Sequence, residues 1–283
     1  MRIDAVLAQG TTTSFEFFPP KSDEESAVLT STLKELEPLH PSFVSVTYRG
    51  GPASRQRTFD LVTQIEQRGT ITAMAHLICV GHTRSEMRVI LENYLEAGVQ
   101  NVMALGGDVP DDSDQQSSEF LHAIDLVEMT RTAGDFAIGV AAHPHGHPRS
   151  PTLESDRRFL AQKLALADFA VTQFFFDVGE WVRLVDELGE LGLDKPVIPG
   201  IMPVTTLHGI SRMAQMGAPV PQTLVDRLEA ADKRGGPSAV RGEGVAAARE
   251  LCEGLLNEHA PGLHFYTLNR STATREIYSS LFG

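Results

Sequence analysis

The chain has 283 residues, of which 42% are hydrophobic and 22% charged, and this composition excludes a disordered or low-complexity protein. Its 24 Lys and Arg residues against 37 Asp and Glu residues give a net charge of −13, which repels nucleic acid and anionic membrane surfaces. There is no apolar run of membrane-helix length, no signal-peptide pattern, and only two cysteines, too few for a disulfide framework. We therefore expect a cytoplasmic protein with neither a nucleic-acid nor a membrane partner.

Eight short apolar segments alternate with segments of helical periodicity. In chain order, the apolar segments are residues 14–18, 43–47, 71–79, 101–105, 136–142, 169–176, 197–202 and 263–268. Continuous apolar runs bounded by Gly, Pro and Asp are typical of parallel strands that are covered on both faces. The clearest helical pattern spans residues 87–95, and Gly98 supplies its stop.

Repeated strand–helix units predict the fold class, an α/β protein with a (β/α)8 TIM barrel, and an open doubly wound sheet is the alternative. The connection between residues 202 and 263 is long enough for two or three extra helices before the last strand, at 211–215, 221–231 and 244–259. We predict one catalytic domain over residues 1–283. Polar residues recur once per unit near the predicted strand ends, where barrel enzymes place their chemistry. They are Glu16, Thr47, His76, Asp108, His143 and Gln173.

Glu16 lies in an apolar run of three phenylalanines that ends at Pro19 and Pro20. A carboxylate is costly to bury in its ionised form, so this position favours a protonated carboxyl group. Such a group is a candidate general acid near neutral pH. The alternative is a structural carboxylate paired with Lys or Arg across the barrel.

The segment Gly106-Gly107-Asp108 directly follows a predicted strand. The two glycines allow a ligand to approach the backbone, and Asp108 would then project at the barrel mouth. A turn or helix-capping role for Asp108 explains the pattern equally well.

Three histidines in the segment 143–147 raise the possibility of a metal site, with His76 and Asp108 as further ligands, as in metal-dependent barrel hydrolases. Pro144 and Gly146 favour instead a loop that contacts a planar ligand or a phosphate, so we predict no metal. Gln173 precedes three phenylalanines, and its amide can either recognise a heterocycle or hydrogen-bond a neighbouring strand.

Taken in order, several motifs resemble those of the methylenetetrahydrofolate reductase family, from about residue 14 to residue 281. They are SFEFFPP at 14–20, FVSVTY at 43–48, AHL at 75–77, GD at 107–108, VAA at 140–142, HP at 147–148, TQFFFD at 172–177, IPGIMPV at 198–204 and FYTLNR at 265–270. The resemblance implies a (β/α)8 barrel that binds FAD non-covalently and reduces 5,10-methylenetetrahydrofolate to 5-methyltetrahydrofolate with NAD(P)H. It also implies ping-pong transfer of hydride through flavin N5, and a homo-oligomer as an expected assembly.

The resemblance also implies roles for individual residues. Glu16 matches the general acid, and Asp108 a carboxylate near flavin and pterin that stabilises developing positive charge. Gln173 and Arg270 match residues that bind folate, and Thr47 one at the edge shared by flavin and nicotinamide. The expected flavin contacts are Thr47, Tyr48, Arg49, His76, Gly106, Gly107, Asp108, Ala123, His143, His147, Asp156 and Lys163.

Three positions depart from the family pattern. Gly106 and Gln162 stand where arginine is common, and His143 stands where tyrosine or phenylalanine is usual. Losing charge-assisted contacts of roughly 1.5–3 kcal/mol each is expected to weaken binding of a diphosphate, and Arg49 is a candidate for compensation. The departures also keep open a non-catalytic or repurposed paralogue that binds flavin or folate, alongside the less favoured metal-dependent hydrolase.

Overall fold

Eight parallel strands close into a barrel, which confirms the predicted fold. A computed structural model describes residues 1–48, 52–107, 119–270 and 272–283. The strands pair in chain order, and the eighth pairs with the first to complete the barrel. They are β1 (Thr12–Phe17), β2 (Phe43–Val46), β3 (Ala73–Ile78), β4 (Asn101–Leu105), β5 (Ala137–Ala142), β6 (Phe169–Phe174), β7 (Val197–Ile201) and β8 (Gly262–Tyr266).

Helices surround the barrel and connect successive strands. They are α1 (Ile3–Leu7), α2 (Asp23–Leu36), α3 (Pro52–Arg68), α4 (Arg84–Glu96), α5 (Ala123–Ala133), α6 (Leu153–Leu166), α7 (Val178–Glu190), α8 (Leu207–Gln215), α9 (Gln222–Asn257) and α10 (Thr272–Phe282). Helix α9 is interrupted at Gly235 and Gly236, so the extra helices lie close to the three predicted segments. Across the described ranges, every helix is too short or too polar to cross a membrane.

Helix α1 closes the end of the barrel at which the strands begin. Ile3 is fully buried there and packs in one cluster with Phe43, Met74 and Phe169. The side chain of Asn101 holds this arrangement in place. Its Oδ1 accepts a hydrogen bond from the Ile3 N–H at 2.8 Å, and its Nδ2 donates to the Ala73 carbonyl at 3.2 Å. The lower half of the barrel is therefore filled with apolar side chains, which leaves the other end for polar chemistry.

The missing side chain of Gly200 makes room for a large ring inside the barrel. A Cβ atom at this position would lie 2.5 Å from Tyr266 Cε2 and would clash with the Thr172 carbonyl oxygen. Tyr266 crosses this space, and its hydroxyl donates a 2.6 Å hydrogen bond to that oxygen. Burial, with a further effect of Glu16, raises the pKa of Tyr266 well above its ordinary value, so the phenol stays protonated. Tyr266 thus fills part of the barrel interior at the level of Glu16, its partner in the register of β1 and β8.

Candidate active site

The Glu16 carboxyl group lies between two imidazole rings inside the barrel. Its Oε2 atom is 3.5 Å from His76 Nε2 and 3.6 Å from His264 Nε2, and its side chain is 11% exposed. Within the described ranges, no Lys or Arg side chain forms an ion pair with it. The alternative of a carboxylate paired with a cation across the barrel therefore has no support in these residues.

His264 is a site residue that the sequence reasoning missed. It is fully buried on β8, and its Nδ1 atom lies 2.8 Å from Ser14 Oγ. The ring stacks on Phe43 with the planes 18° apart. The available signal was its position in the last strand, β8. In the register of β8 with β1, His264 lies beside Ser14, and Ser14 is two residues before Glu16. These contacts fix the ring that faces the carboxyl group.

His76 and Thr47 each present a buried polar atom that lacks a hydrogen-bond partner among the described residues. The atoms are His76 Nε2 and Thr47 Oγ1. Burial lowers the pKa of His76, against the opposing effect of the Glu16 carboxylate, so the imidazole is neutral near pH 7. Because unpartnered buried polar atoms are costly, this pair indicates a place where a bound polar molecule completes the hydrogen bonding.

Tyr48 is held at the end of β2 by a residue from the next loop. Its hydroxyl lies 2.9 Å from His82 Nε2, and both side chains are buried. Burial raises the pKa of Tyr48 and lowers that of His82, so both groups are neutral near pH 7. The neighbouring predicted contact, Arg49, lies outside the described residues.

The two glycines at the end of β4 differ in what their missing side chains permit. Gly107 has φ of +87°, and a Cβ atom there would lie 2.6 Å from Val80 Cγ1, so this position requires glycine. Among the described residues, a Cβ atom at Gly106 would meet within 4 Å only Arg149 Nη2 at 3.7 Å and the Ala123 backbone nitrogen at 3.8 Å, so these residues leave room beside Gly106. Asp108, the predicted second catalytic residue, lies outside the described residues.

The predicted contacts on β5 and α6 form a second group. The rings of His143 and His147 meet edge to face with centroids 4.8 Å apart. Asp156 Oδ1 accepts a 2.9 Å hydrogen bond from the His147 N–H, and Lys163 Nζ donates to the Ala141 carbonyl at 2.8 Å. Burial lowers the pKa of His143 to about 4 and that of Lys163 to about 8.

These histidines do not converge with other ligands. His145 lies 3.3 Å from Glu180, on the neighbouring helix α7. Across the described part of the chain, no group of three or more His, Cys, Asp or Glu side chains is arranged to hold a metal ion. The hypothesis of a metal-dependent hydrolase therefore has no support in those residues.

Gln173 lies at an irregularity in the pairing of β6 with β7. Its Oε1 accepts a 3.1 Å hydrogen bond from the Phe174 N–H, and its Nε2 contacts the Met216 carbonyl at 3.5 Å. The long second contact leaves the amide free to turn toward a ligand at the barrel mouth. Neither contact is to a neighbouring strand, so the predicted structural role is not seen in the described residues, and recognition of a heterocycle stays a prediction.

Arg270 ends a turn that braces the strand carrying Glu16. Thr267 Oγ1 donates a 2.6 Å hydrogen bond to the Glu16 carbonyl. Asn269 brackets Phe18, accepting from its N–H at 2.7 Å and donating to its carbonyl at 2.9 Å. Arg270 itself is exposed at the end of this turn. Its predicted folate contact therefore lies at the rim and not beside the Glu16 carboxyl group.

Comparisons with known proteins show which family the chain is similar to. The family model described as methylenetetrahydrofolate reductase matches residues 2–282. The 5,10-methylenetetrahydrofolate reductase of Pectobacterium carotovorum is 34% identical over 270 residues, which cover 95% of this chain and 89% of the relative. That of Salmonella typhimurium is 35% identical over 270 residues, with coverage of 95% and 90%.

A solved structure supports the fold alone. An uncharacterised protein from Clostridium thermocellum that binds two copies of 5-methyl-5,6,7,8-tetrahydrofolic acid superposes with a TM-score of 0.69. The alignment covers 99% of each chain at 12% identity. The family model and the two enzyme relatives extend over nearly all of the barrel, and on that evidence the chain belongs to the methylenetetrahydrofolate reductase family.

Proposed function

We propose that this chain reduces 5,10-methylenetetrahydrofolate to 5-methyltetrahydrofolate by a ping-pong reaction, with NAD(P)H as the reductant and FAD as a non-covalent cofactor. Reduction of the folate is the activity of the family, and the flavin, the nicotinamide and the order of steps are the proposed parts. The observation that carries the proposal is Glu16, a carboxyl group inside the barrel faced by two imidazoles and no described cation.

The chemistry requires a proton donor in the barrel. A hydride adds to the methylene carbon, the bond from that carbon to N10 breaks, and N10 keeps the electron pair and takes up one proton. NAD(P)H is oxidised in the same overall reaction. Because proton transfer assists the breaking of this bond, an acid within hydrogen-bond reach of the folate raises the rate.

Glu16 is suited to supply that proton. It lies near the carboxyl end of β1, where barrel enzymes place catalytic groups. His76 is neutral near pH 7 and can hydrogen-bond to the carboxyl group without adding a positive charge beside it. His264, fixed by Ser14, supports the carboxyl group from the opposite side. The lack of a described ammonium or guanidinium contact leaves the carboxyl oxygens available to a bound molecule.

The residues present fit a flavin dinucleotide. Thr47 Oγ1 needs a partner that the polar edge of a flavin ring offers. The space beside Gly106, bordered by Arg149 and by the N–H group of Ala123, suits an anionic group. When bound, FAD would accept a hydride from NAD(P)H and then give it to the methylene carbon of the folate.

The site residues follow from the proposal. Glu16 and Asp108 would be catalytic, with Thr47, Gln173 and Arg270 binding substrate. The proposed cofactor contacts are Thr47, Tyr48, Arg49, His76, Gly106, Gly107, Asp108, Ala123, His143, His147, Asp156 and Lys163. Cys79 and Cys252 are free, buried thiols, which supports a reducing, cytoplasmic location.

The Glu16→Gln variant tests the proposal, because it removes the acidic proton while keeping the shape of the side chain. We expect the folate half-reaction to slow by about 10²–10⁴-fold, while flavin reduction by NADH stays within a few-fold of the wild-type rate. The two half-reactions are followed separately by anaerobic stopped-flow absorbance. Glu92→Gln, an exposed change on α4, is the matched control.

Two results would contradict parts of this proposal. Equal slowing of both half-reactions in Glu16→Gln would remove the role of proton donor. A wild-type protein without flavin absorbance, and with no gain of it on titration with FAD, would remove the cofactor. A paralogue that binds without turnover would show neither half-reaction yet still bind FAD or folate.

A further inference from the structure

Arg149 places a guanidinium group beside Gly106, in the space that the described residues leave there. Its Nη2 atom lies 3.7 Å from the position that a Gly106 Cβ atom would occupy, and 3.4 Å from the Gly107 carbonyl oxygen, to which it donates. Arg149 comes from the loop between β5 and α6, whereas the glycines end β4. Two neighbouring loops therefore converge on one space at the barrel mouth.

The loop that carries Arg149 is fixed from within. The Arg149 N–H donates a 3.1 Å hydrogen bond to His147 Nδ1. Asp156 Oδ1 accepts from the His147 N–H at 2.9 Å and from Ser150 Oγ at 2.8 Å. Gly146, with φ of +84°, supplies the turn that precedes them. The backbone of Arg149 is thus held in place by hydrogen bonds within its own loop.

The charge of Arg149 is uncommitted within the described ranges, where no carboxylate lies in ion-pair distance of it. The other described cations nearby make shorter contacts than the 3.4 Å contact from Arg149 to the Gly107 carbonyl. Arg157 is buried and pairs with Asp156 and Glu187 at 3.1 and 2.5 Å. Lys163 donates to the Ala141 carbonyl, and burial lowers its pKa to about 8. Arg149 is therefore the described cation at this edge that is best able to meet an anion.

A backbone N–H group also borders the space, because the Ala123 nitrogen lies 3.8 Å from the position of a Gly106 Cβ atom. The Ala123 N–H is the first of helix α5, and the first N–H groups of a helix have no acceptor within it. The carboxylate of Asp125 accepts from the N–H groups of Leu121 and His122, at 2.8 and 2.9 Å, so its charge is turned to the preceding turn. Leu121, two residues before Ala123, is 84% exposed and adds apolar surface suited to a nucleobase.

We infer that Arg149 binds the diphosphate of a dinucleotide at this space and thereby sets the affinity of the enzyme for it. The inference rests on the proposed function, since FAD and NAD(P)H both carry a diphosphate. A bidentate guanidinium contact also matches the geometry of phosphate oxygens. Arg149 is in this sense a binding residue supplied by a different loop from the one that carries Gly106.

The test compares Arg149→Gln, Arg149→Lys and the wild type in separate titrations with FAD and with NADH. We expect Arg149→Gln to weaken one or both affinities by about tenfold, equivalent to about 1.4 kcal/mol. Arg149→Lys should recover part of this loss. Arg158→Gln, which removes an exposed cation paired with Glu154 on α6, is the control for net charge.

Salt dependence separates a charge contact from a merely structural effect. The difference in dinucleotide affinity between the wild type and Arg149→Gln should become smaller as the salt concentration rises from about 0.1 M to about 1 M. The reason is that the Debye length falls from about 10 Å to about 3 Å. A loss confined to FAD assigns the site to the cofactor, and one confined to NADH assigns it to the co-substrate.

Two outcomes would overturn the inference, and they are distinguishable. Unchanged affinities for both dinucleotides in Arg149→Gln would overturn it while leaving the proposed function intact. A wild-type protein that binds neither FAD nor NADH would overturn it together with the proposed function.

Discussion

Replacing Gly200 by alanine would insert a methyl group where strand β7 and the ring of Tyr266 leave no room. The new Cβ atom would lie 2.5 Å from Tyr266 Cε2 and 3.0 Å from its hydroxyl oxygen, and it would clash with the Thr172 carbonyl. The carbonyl belongs to β6 and cannot move away alone, so the tyrosine ring must move. Overpacking costs about 1–3 kcal/mol, and losing the buried hydrogen bond from Tyr266 costs about 1–3 kcal/mol more. We therefore expect Gly200→Ala to lose at least about 2 kcal/mol of unfolding free energy.

Gly189→Ala is the matched control for that change. Nothing lies within 4 Å of a Cβ atom at Gly189, near the end of α7. Alanine there should raise stability by about 0.5–1 kcal/mol through helix propensity. Urea unfolding followed by circular dichroism gives the midpoints of both variants and the wild type. An unchanged or higher midpoint for Gly200→Ala would refute the reasoning, because it would mean that the barrel interior has room at this level.

Two further predictions concern Asn269 and Lys163. Glycine at position 269 would tolerate the left-handed backbone, where φ is +59°, but Asn269→Gly would remove both hydrogen bonds to Phe18. We expect the free energy of unfolding to fall by about 1–3 kcal/mol. An unchanged midpoint in urea would show that these hydrogen bonds do not stabilise the turn. Burial lowers the pKa of Lys163 to about 8, and a bound diphosphate would favour its charged form. FAD affinity should therefore fall as the pH rises through about 8 in fluorescence titrations, and a flat profile from about pH 7 to about pH 9 would show that Lys163 does not meet the anion.

The barrel could be predicted from sequence because its signal is local. Each strand is an apolar run bounded by Gly, Pro or Asp, and the predicted runs agree with the observed strands to within a few residues. The kink in α9 at Gly235 and Gly236 falls between the two predicted helical segments 221–231 and 244–259. Helix α1 was missed, because a segment of five residues is too short to show the hydrophobic periodicity of a helix.

The site was harder to predict, because it depends on contacts between distant residues. Glu16 could be singled out, since a charge in an apolar strand is conspicuous, but its neighbour His264 lies 248 residues away and reads as part of a core strand. Arg149 was missed for a different reason. It lies in a polar loop where an arginine has no local signature, and only the structure shows that it faces Gly106. The predicted cofactor contacts, by contrast, rested on the resemblance rather than on patterns in the residues themselves.

The packing of α1 against the end of the barrel at which the strands begin has a consequence for folding during synthesis. Ile3 is held by Asn101, and Arg2 forms an ion pair with Asp135. Arg2 and Ile3 are therefore synthesised well before Asp135 and Asn101, the residues with which they pair. Closure between β1 and β8 requires the remainder of the chain. Until then the hydrophobic end of the barrel is incompletely covered, so nascent chains that lack β8 should need a chaperone.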